Sequence, residues 1–200
     1  KQTEVIALNL DCKITAVDIA PKMIEGLNYR IRKENLTNKV SGLVASMCEL
    51  PFKKNEFDVI WAEGSIYHIG FEKGLKEWRQ FLKPNGFMAI TECCWLSNQR
   101  PKDMGFITEN VSEIDMISNK LKIIESLGYK PVAHFILPEY CWIDNFYEIT
   151  KTRFKEFLEE NNYSEPAKDF VERMEQEIEY YQTNKEYFGY VFFICKKTQD

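Results

Sequence analysis

The sequence has few of the residues from which metal and disulfide sites are built. Its only two histidines, His68 and His134, lie far apart in the chain, and none of its six cysteines forms a Cys-x-x-Cys pair. This arrangement argues against a structural zinc site or a disulfide framework, and it fits a reducing cytoplasm. We therefore expect no metal ion and a cytoplasmic location.

Two further absences concern partners. The formal net charge is −5 and no run of lysine or arginine occurs, so we expect no nucleic-acid partner, because phosphate binding needs a basic surface. No apolar run reaches the roughly 20 residues that a membrane span requires, and the first residues lack the layout of a secretory signal. We expect no membrane association.

What the sequence does contain is an alternation of two apolar periodicities. Short β-branched runs predict strands and amphipathic stretches predict helices, in the chain order Lys13–Asp18, Lys22–Asn35, Val40–Ala45, Phe57–Ala62, Phe71–Leu82, Phe87–Glu92 and Asp115–Leu127. The second, fifth and seventh of these are the helices. Such alternation predicts an α/β fold, a Rossmann-like and mostly parallel sheet with helices on both faces.

The pattern changes in the last third of the chain. Val132–Leu137 and Tyr190–Lys196 are typical of strands, whereas residues 144–185 between them are charged and carry two helical apolar stripes. No repeat, low-complexity tract or flexible linker divides the chain. We therefore predict a single domain, 1–200, with a helical cap insert at 140–185 before the last strand.

Ligands of an open α/β sheet bind beyond the carboxyl ends of its strands. Asp18 follows the first predicted strand, and a carboxylate there can accept hydrogen bonds from both hydroxyls of a ribose. An acid at this position can instead cap the helix that Pro21 opens. Glu63 and Gly64 follow the third predicted strand, and Trp95 comes shortly after the fourth.

Four segments in this order resemble class I S-adenosylmethionine-dependent methyltransferases of the type-11 methyltransferase-domain kind. They are a strand ending in an acid, then SMCELPF, then FDVIWAEGSIYHI, and then a helix closing in FLKPNGFMAITE. The match runs from Lys1 to about Glu92. It implies S-adenosylmethionine as cofactor and a last strand that runs antiparallel. The Asn/Asp-Pro-Pro-Tyr segment of amino-group methyltransferases is absent after FDVIWA, which disfavours nucleobase or amide nitrogen and leaves a small-molecule acceptor.

The resemblance also implies a cofactor-binding role for four residues near the start of the chain. Asp18 holds the ribose hydroxyls, and Ile19 packs against the adenine. Ser46 and Met47 face the adenine edge. Many relatives have an acid where Ser46 stands, so the contact with the adenine amino group differs here.

Four residues after the third strand take further roles from the same resemblance. Glu63 and Gly64 lie near the sulfonium and methionine part of the cofactor, where a carboxylate suits a cationic sulfur. Tyr67 and His68 stand between cofactor and substrate and are the candidate catalytic residues. His68 suits acid–base chemistry near neutral pH, although a histidine beside Tyr67 can equally be a packing residue.

One part of the family pattern has no counterpart in the printed sequence. In the family, a strand and a Gly-x-Gly-x-Gly loop precede the helix with which this sequence begins, and the loop lets the backbone approach the cofactor. We expect this strand, central in the sheet, to be missing from this chain and to be encoded directly upstream of Lys1. The sequence as printed should then bind the cofactor poorly.

The cap insert begins with a group of aromatic residues. Tyr140, Trp142, Phe146 and Tyr147 suit either a core for the cap helices or the aromatic wall of a substrate pocket. We predict that the cap is a lid near Tyr67, and that Trp95, Tyr140 and Trp142 contact the substrate. The alternative is a dimer interface, and a homodimer stays possible.

Two other functions stay open. A nicotinamide-dependent short-chain dehydrogenase also has an acid after its second strand. Its Tyr-x-x-x-Lys spacing occurs here three times, at Tyr29/Lys33, Tyr147/Lys151 and Tyr181/Lys185, so the spacing carries little weight. The other function is that of a non-catalytic protein with an incomplete cofactor site.

Overall fold

The computed structural model describes residues 2–198. The chain forms two compact units, Lys1–Lys53 and Lys54–Asp200. The ends of the predicted domain 1–200, which are Lys1, Gln199 and Asp200, lie outside the described residues. The grouping of the whole chain into one domain with a cap stays a prediction.

The first unit contains two helices and two parallel strands. Its elements are α1 (Gln2–Asn9), β1 (Ile14–Asp18), α2 (Pro21–Lys33) and β2 (Val40–Val44). Helix α2 begins at Pro21, where the missing N–H of proline costs no hydrogen bond, and it buries Ile24, Leu27 and Ile31. Strands β1 and β2 pair with each other from Ile14 to Asp18, as the alternation of the sequence predicts.

The second unit contains a mixed sheet of five strands. They are β3 (Phe57–Ala62), β4 (Leu82–Trp95), β5 (Asp115–Met116), β6 (Tyr129–Ile136) and β7 (Phe188–Lys197). The order across the sheet is β3-β4-β7-β6, with β5 also paired to β4. Strands β3 and β5 run parallel to β4, and β7 runs antiparallel to both β4 and β6. The predicted antiparallel last strand is confirmed.

Five helices accompany this sheet. They are α3 (Phe71–Trp78), α4 (Gly105–Asn110), α5 (Ile117–Ser126), α6 (Glu148–Glu160) and α7 (Glu165–Asn184). The last two lie between β6 and β7 in the chain, where the helical insert was expected. None of the described helices is long and apolar enough to cross a membrane.

The predicted helix Phe71–Leu82 is wrong at its end. Helix α3 stops at Trp78, and a single 3-10 turn leads to Leu82. Leu82 belongs to β4 because it pairs with Phe57, and the register shifts just beyond this pair. Because of this shift, the residues between Leu82 and Phe87 have no regular pairing with β3. Pro84, which cannot donate a backbone hydrogen bond, and Asn85, with a φ of +64°, are therefore tolerated here.

The predicted helix Asp115–Leu127 is wrong at its start. Asp115 and Met116 pair with Cys94 and Trp95 of β4, so helix α5 begins only at Ile117. The sequence pattern had no strand here, because two residues are too few to show an alternation.

Candidate functional site

A cavity of about 290 Å³ lies in the second unit at the carboxyl ends of its parallel strands. Cys93, near the end of β4, contributes to the lining, and so does Tyr67 from the turn that follows β3. Strand β7 is antiparallel to β4 and pairs Tyr190 with Cys93 and Phe188 with Trp95, so its first residues reach the same edge. This is the edge at which open α/β sheets bind ligands.

The lining is mostly aromatic. Six of its side chains are Tyr67, Trp142, Tyr147, Tyr180, Tyr181 and Tyr190. The Trp142 ring stacks on Tyr181 with centroids 4.4 Å apart and on Tyr190 with centroids 4.7 Å apart. Tyr147 meets Tyr181 edge-on at 5.5 Å. These contacts fix the rings in position, because each is held by at least one other ring.

Glu177 is the one carboxylate among the side chains that line this cavity. No lysine, arginine or histidine belongs to the lining within the described part of the chain. The hydroxyl of Tyr147 donates a hydrogen bond of 3.0 Å to Glu177 Oε1. Burial raises the pKa of Glu177, and the hydrogen bond from Tyr147 partly offsets this rise. The cavity therefore contains a negative group that is oriented by a neutral donor.

The tyrosine hydroxyls around Glu177 are held in their neutral form. Burial raises the pKa of Tyr67, and the charge of Glu177 raises it further. The same two causes, in the same order, raise the pKa of Tyr147. For Tyr181 burial raises the pKa to about 12. At neutral pH these residues are hydrogen-bonding groups with apolar faces, and Glu177 alone of these groups can carry a charge.

The structure brings two of the predicted substrate-side residues together and leaves the others outside the cavity. Tyr67 and Trp142 line the same space. Tyr140 is 56% exposed and is not part of the lining. Trp95 is only 5% exposed and packs edge-on against Phe188, which does line the cavity. His68 is exposed beside Tyr67, with the ring centroids 4.0 Å apart.

Glu63 and Gly64 connect β3 to the turn that carries Tyr67. Trp61 Nε1 donates to Glu63 Oε1 at 2.5 Å, and the Gly64 N–H donates to Thr91 Oγ1 at 2.7 Å. Gly64 has a φ of +56°, which favours glycine, and no atom lies within 4 Å of where a Cβ would be. The backbone is thus fixed and open on one side, which fits close approach by a cofactor.

The remaining predicted cofactor residues belong to the first unit. Asp18 lies at the end of β1, and its Oδ1 accepts a hydrogen bond of 2.8 Å from the Ala20 N–H. Ile19 is 71% exposed. Ser46 Oγ accepts from the Cys48 N–H at 3.2 Å, and Met47 is half-buried. Asp18 thus stabilises the turn after β1 and does not cap the first turn of α2. Its carboxylate chemistry fits the ribose role.

Several lining residues were not found from the sequence. Glu177, Tyr180 and Tyr181 all come from α7, at positions i, i+3 and i+4. This spacing places them on one face of the helix. The pattern could have identified them as a group, whereas nothing in it indicates that Tyr190 faces the same space. Tyr147 was one of the residues proposed for either the cap core or the pocket wall, and it lines the cavity.

Comparison with known proteins matches residues 1–90 to a family described as "Methyltransferase domain". The chain is 28% identical over 105 residues to the 27-O-demethylrifamycin SV methyltransferase of Amycolatopsis mediterranei, which covers 52% of the chain and 38% of that protein. It is 23% identical over 139 residues to the glycine/sarcosine/dimethylglycine N-methyltransferase of Actinopolyspora halophila, which covers 68% of the chain and 24% of that protein. The chain thus spans well under half the length of either relative.

Solved structures share the fold. A methyltransferase from Thiobacillus denitrificans in complex with S-adenosyl-L-homocysteine has a TM-score of 0.77 at 20% identity, over 96% of this chain and 78% of that one. The [4+2]-cyclase SpnF has a TM-score of 0.78 at 16% identity, over 100% of this chain and 71% of that one. The family match over residues 1–90, together with these relatives and structures, supports a class I S-adenosylmethionine-dependent methyltransferase. As the cyclase shows, this fold by itself does not define the reaction.

Proposed function

We propose that the protein transfers a methyl group from S-adenosylmethionine to a small molecule that binds in the cavity of the second unit. One observation carries the proposal. Tyr67 lines the cavity and is only three positions after Gly64, and we propose from the family resemblance that Gly64 lies near the sulfonium and methionine part of the cofactor. A short turn therefore joins the predicted cofactor segment to a partly open aromatic cavity.

Six residues are the proposed cofactor contacts. They are Asp18, Ile19, Ser46, Met47, Glu63 and Gly64. Asp18 is suited to the ribose hydroxyls because a carboxylate accepts several hydrogen bonds. The exposed side chain of Ile19 offers an apolar surface for adenine. The bound S-adenosyl-L-homocysteine of the Thiobacillus denitrificans neighbour supports the choice of cofactor. When bound, the cofactor supplies a methyl group on a cationic sulfur.

On the substrate side, Tyr67 and Trp142 are the proposed contacts. Trp95 has a supporting role, because it is buried behind Phe188, which lines the cavity. Tyr140 and His68 do not line the cavity. Their roles at the site stay predictions from the sequence. The segment from Trp142 to Tyr181 supplies one wall, so we propose that the cap, 140–185, is a lid that excludes water and selects the substrate.

The relatives do not agree on an acceptor. One is named for a rifamycin and one for glycine and its methylated forms, so the shape and charge of the cavity must decide the acceptor here. A cytoplasmic location and a homodimer remain predictions from the sequence.

Calorimetry with S-adenosyl-L-homocysteine and with NAD on the full-length protein tests this function. We expect binding of the first ligand only, and a weaker affinity for Asp18→Ala, by about 1.5–3 kcal/mol for each hydrogen bond lost to the charged acceptor. Asp18→Asn is the matched variant, because its side-chain oxygen can still accept from the Ala20 N–H. If Asp18→Ala binds as tightly as the parent protein, the ribose role is wrong. Binding of NAD instead would overturn the proposed reaction.

A further inference from the structure

We infer that the acceptor is a small aliphatic amine, and that the aromatic rings of the cavity together with Glu177 recognise the positive charge on its nitrogen. This inference rests on the proposed function, because the cavity is treated as the acceptor site. It adds a chemical class of substrate, which the fold and the family do not provide.

The first argument is the density of aromatic groups. Six of the side chains around a space of about 290 Å³ are tyrosines or tryptophan. The face of an aromatic ring attracts a cation through its quadrupole, most strongly for tryptophan and more strongly where water is excluded. Trp142 is stacked between Tyr181 and Tyr190, so its own faces are covered and its role is to fix these two tyrosine rings. Rings fixed in this way need no reordering when a cation enters.

The second argument is the sign of the charge. Glu177 is the only carboxylate in the lining, and the lining has no lysine, arginine or histidine among residues 2–198. The Tyr147 hydroxyl holds Glu177 in place by a hydrogen bond and brings no compensating charge. A negative charge surrounded by low-dielectric aromatic groups attracts a cation strongly and repels an anion. Asn110 also lines the cavity, and its amide side chain is uncharged.

The third argument is the chemistry of methyl transfer to an amine. The nitrogen lone pair forms the new bond to the methyl carbon, the electron pair of the carbon–sulfur bond stays on sulfur, and the positive charge moves from sulfur to nitrogen. An amine that arrives protonated must first release its proton to water. Glu177 and the rings therefore stabilise a charge that develops on nitrogen during the transfer, which is the charge that an enzyme must favour.

Other acceptor classes fit the cavity less well. A neutral hydrocarbon acceptor would desolvate Glu177 and leave the carboxylate with no counter-charge, which costs free energy. An anionic acceptor would be repelled by the same group. The cavity is at the small end of ligand pockets, which are about 300–1,000 Å³, so a compact amine is favoured over a bulky one.

Choline and the neutral alcohol in which carbon replaces its nitrogen are the probes that test this inference. The two molecules have nearly the same shape and differ in charge. We expect choline to bind about tenfold more tightly or better, measured by calorimetry on the full-length protein. Glu177→Gln should reduce the preference to about threefold or less. Glu175→Gln, an exposed position on the same helix, is the control and should retain it.

The aromatic contribution is tested with Trp142→Leu, which removes the ring that fixes Tyr181 and Tyr190 and should therefore weaken choline binding more than binding of the neutral alcohol. Thermal melting checks that each variant is folded. Equal affinity for the two probes, or an unchanged preference in Glu177→Gln, overturns the inference. The cofactor measurement is separate. If the protein binds S-adenosyl-L-homocysteine but does not prefer choline, the proposed function stands and this inference is wrong. If it prefers choline but does not bind S-adenosyl-L-homocysteine, the cation site stands and the proposed function is wrong.

Discussion

Two carboxylates of the second unit, the buried Glu92 and the partly buried Glu177, have different surroundings. Glu92, near the carboxyl end of β4, is 1% exposed, and Lys120 Nζ donates to its Oε1 at 3.1 Å. Its other oxygen, Oε2, has no hydrogen-bond partner within the described part of the chain. Glu177 is only partly buried, accepts its hydrogen bond from the neutral Tyr147, and lines the cavity.

The difference is one of charge compensation. Burial raises the pKa of both carboxyl groups. Lys120 then lowers the pKa of Glu92 again through its charge and its hydrogen bond, while Glu113 raises it slightly. Lys120 is itself enclosed, with its Nζ 4.5 Å from the centroid of the Phe71 ring. Glu92 thus has its counter-charge within the protein, whereas the charge of Glu177 is available to a ligand.

Removing the counter-charge of Glu92 should produce the largest effect. Lys120→Met leaves Glu92 buried without a partner, and we expect it to lower the free energy of unfolding at neutral pH by about 3–5 kcal/mol. Lys122→Met, at an exposed position of the same helix, should change it little. Chemical denaturation of both variants measures the difference.

The pH dependence of Lys120→Met gives a second measurement. Burial keeps the pKa of Glu92 in the folded state above its value in the unfolded chain. The variant should therefore lose stability as the pH rises through the folded pKa and regain it as the pH falls. An equal loss at all pH values would contradict this account, because the loss would then come from packing and not from the charge of Glu92.

Much of the fold could be predicted because it depends on local periodicity. The start of α2 at Pro21 and the strand Phe57–Ala62 are both evident from neighbouring residues, although Val59 and Trp61 of this strand are exposed and not buried as an apolar run predicts. The carboxyl-end rule identified the edge of the sheet where Tyr67 lies. The pairing of Tyr147 with Glu177 could not be predicted, because the two residues meet across 30 positions of sequence. Periodicity gives the face of a helix, but not what this face contacts.

The same limit explains the outcome for two tryptophans. Trp142 and Trp95 were both expected to contact the substrate. Trp142 lies in the cavity lining, whereas Trp95 is packed beneath Phe188. In β4, every residue from Met88 to Trp95 is buried, on both faces of the sheet. A strand covered on both faces has no alternation of polar and apolar residues that could tell a core residue from a pocket residue.

Tyr147→Phe is expected to have a smaller effect on the Glu177 side of the comparison. It removes one hydrogen bond to a carboxylate, so we expect a loss of about 1.5–3 kcal/mol in the free energy of unfolding at neutral pH. The hydroxyl of Tyr147 lowers the pKa of Glu177, so its removal should raise that pKa. Choline affinity, which needs the ionised carboxylate, should then decline at a higher pH than in the parent protein. A pH series of calorimetric titrations measures the shift, and an unchanged profile would show that Tyr147 does not orient Glu177.

Glu177→Gln should have the smallest effect on stability, and its sign is informative. The glutamine oxygen can still accept from Tyr147, so the change mainly removes a partly desolvated charge that has no cation in the cavity lining. The folded pKa of Glu177 is raised, so the parent protein loses stability as the pH rises through this pKa, and the variant does not. At neutral pH the variant should be more stable than the parent, by no more than about 1 kcal/mol, because solvent screens a half-buried group. At a pH below the ordinary pKa range of glutamate, the two proteins should be equally stable.

With choline present the order of stability should reverse, because a ligand that binds only the folded parent stabilises it. Melting temperatures of both proteins at the two pH values, with and without choline, measure all three differences. A variant less stable than the parent at neutral pH without ligand would mean that Glu177, like Glu92, already has its partner within the protein.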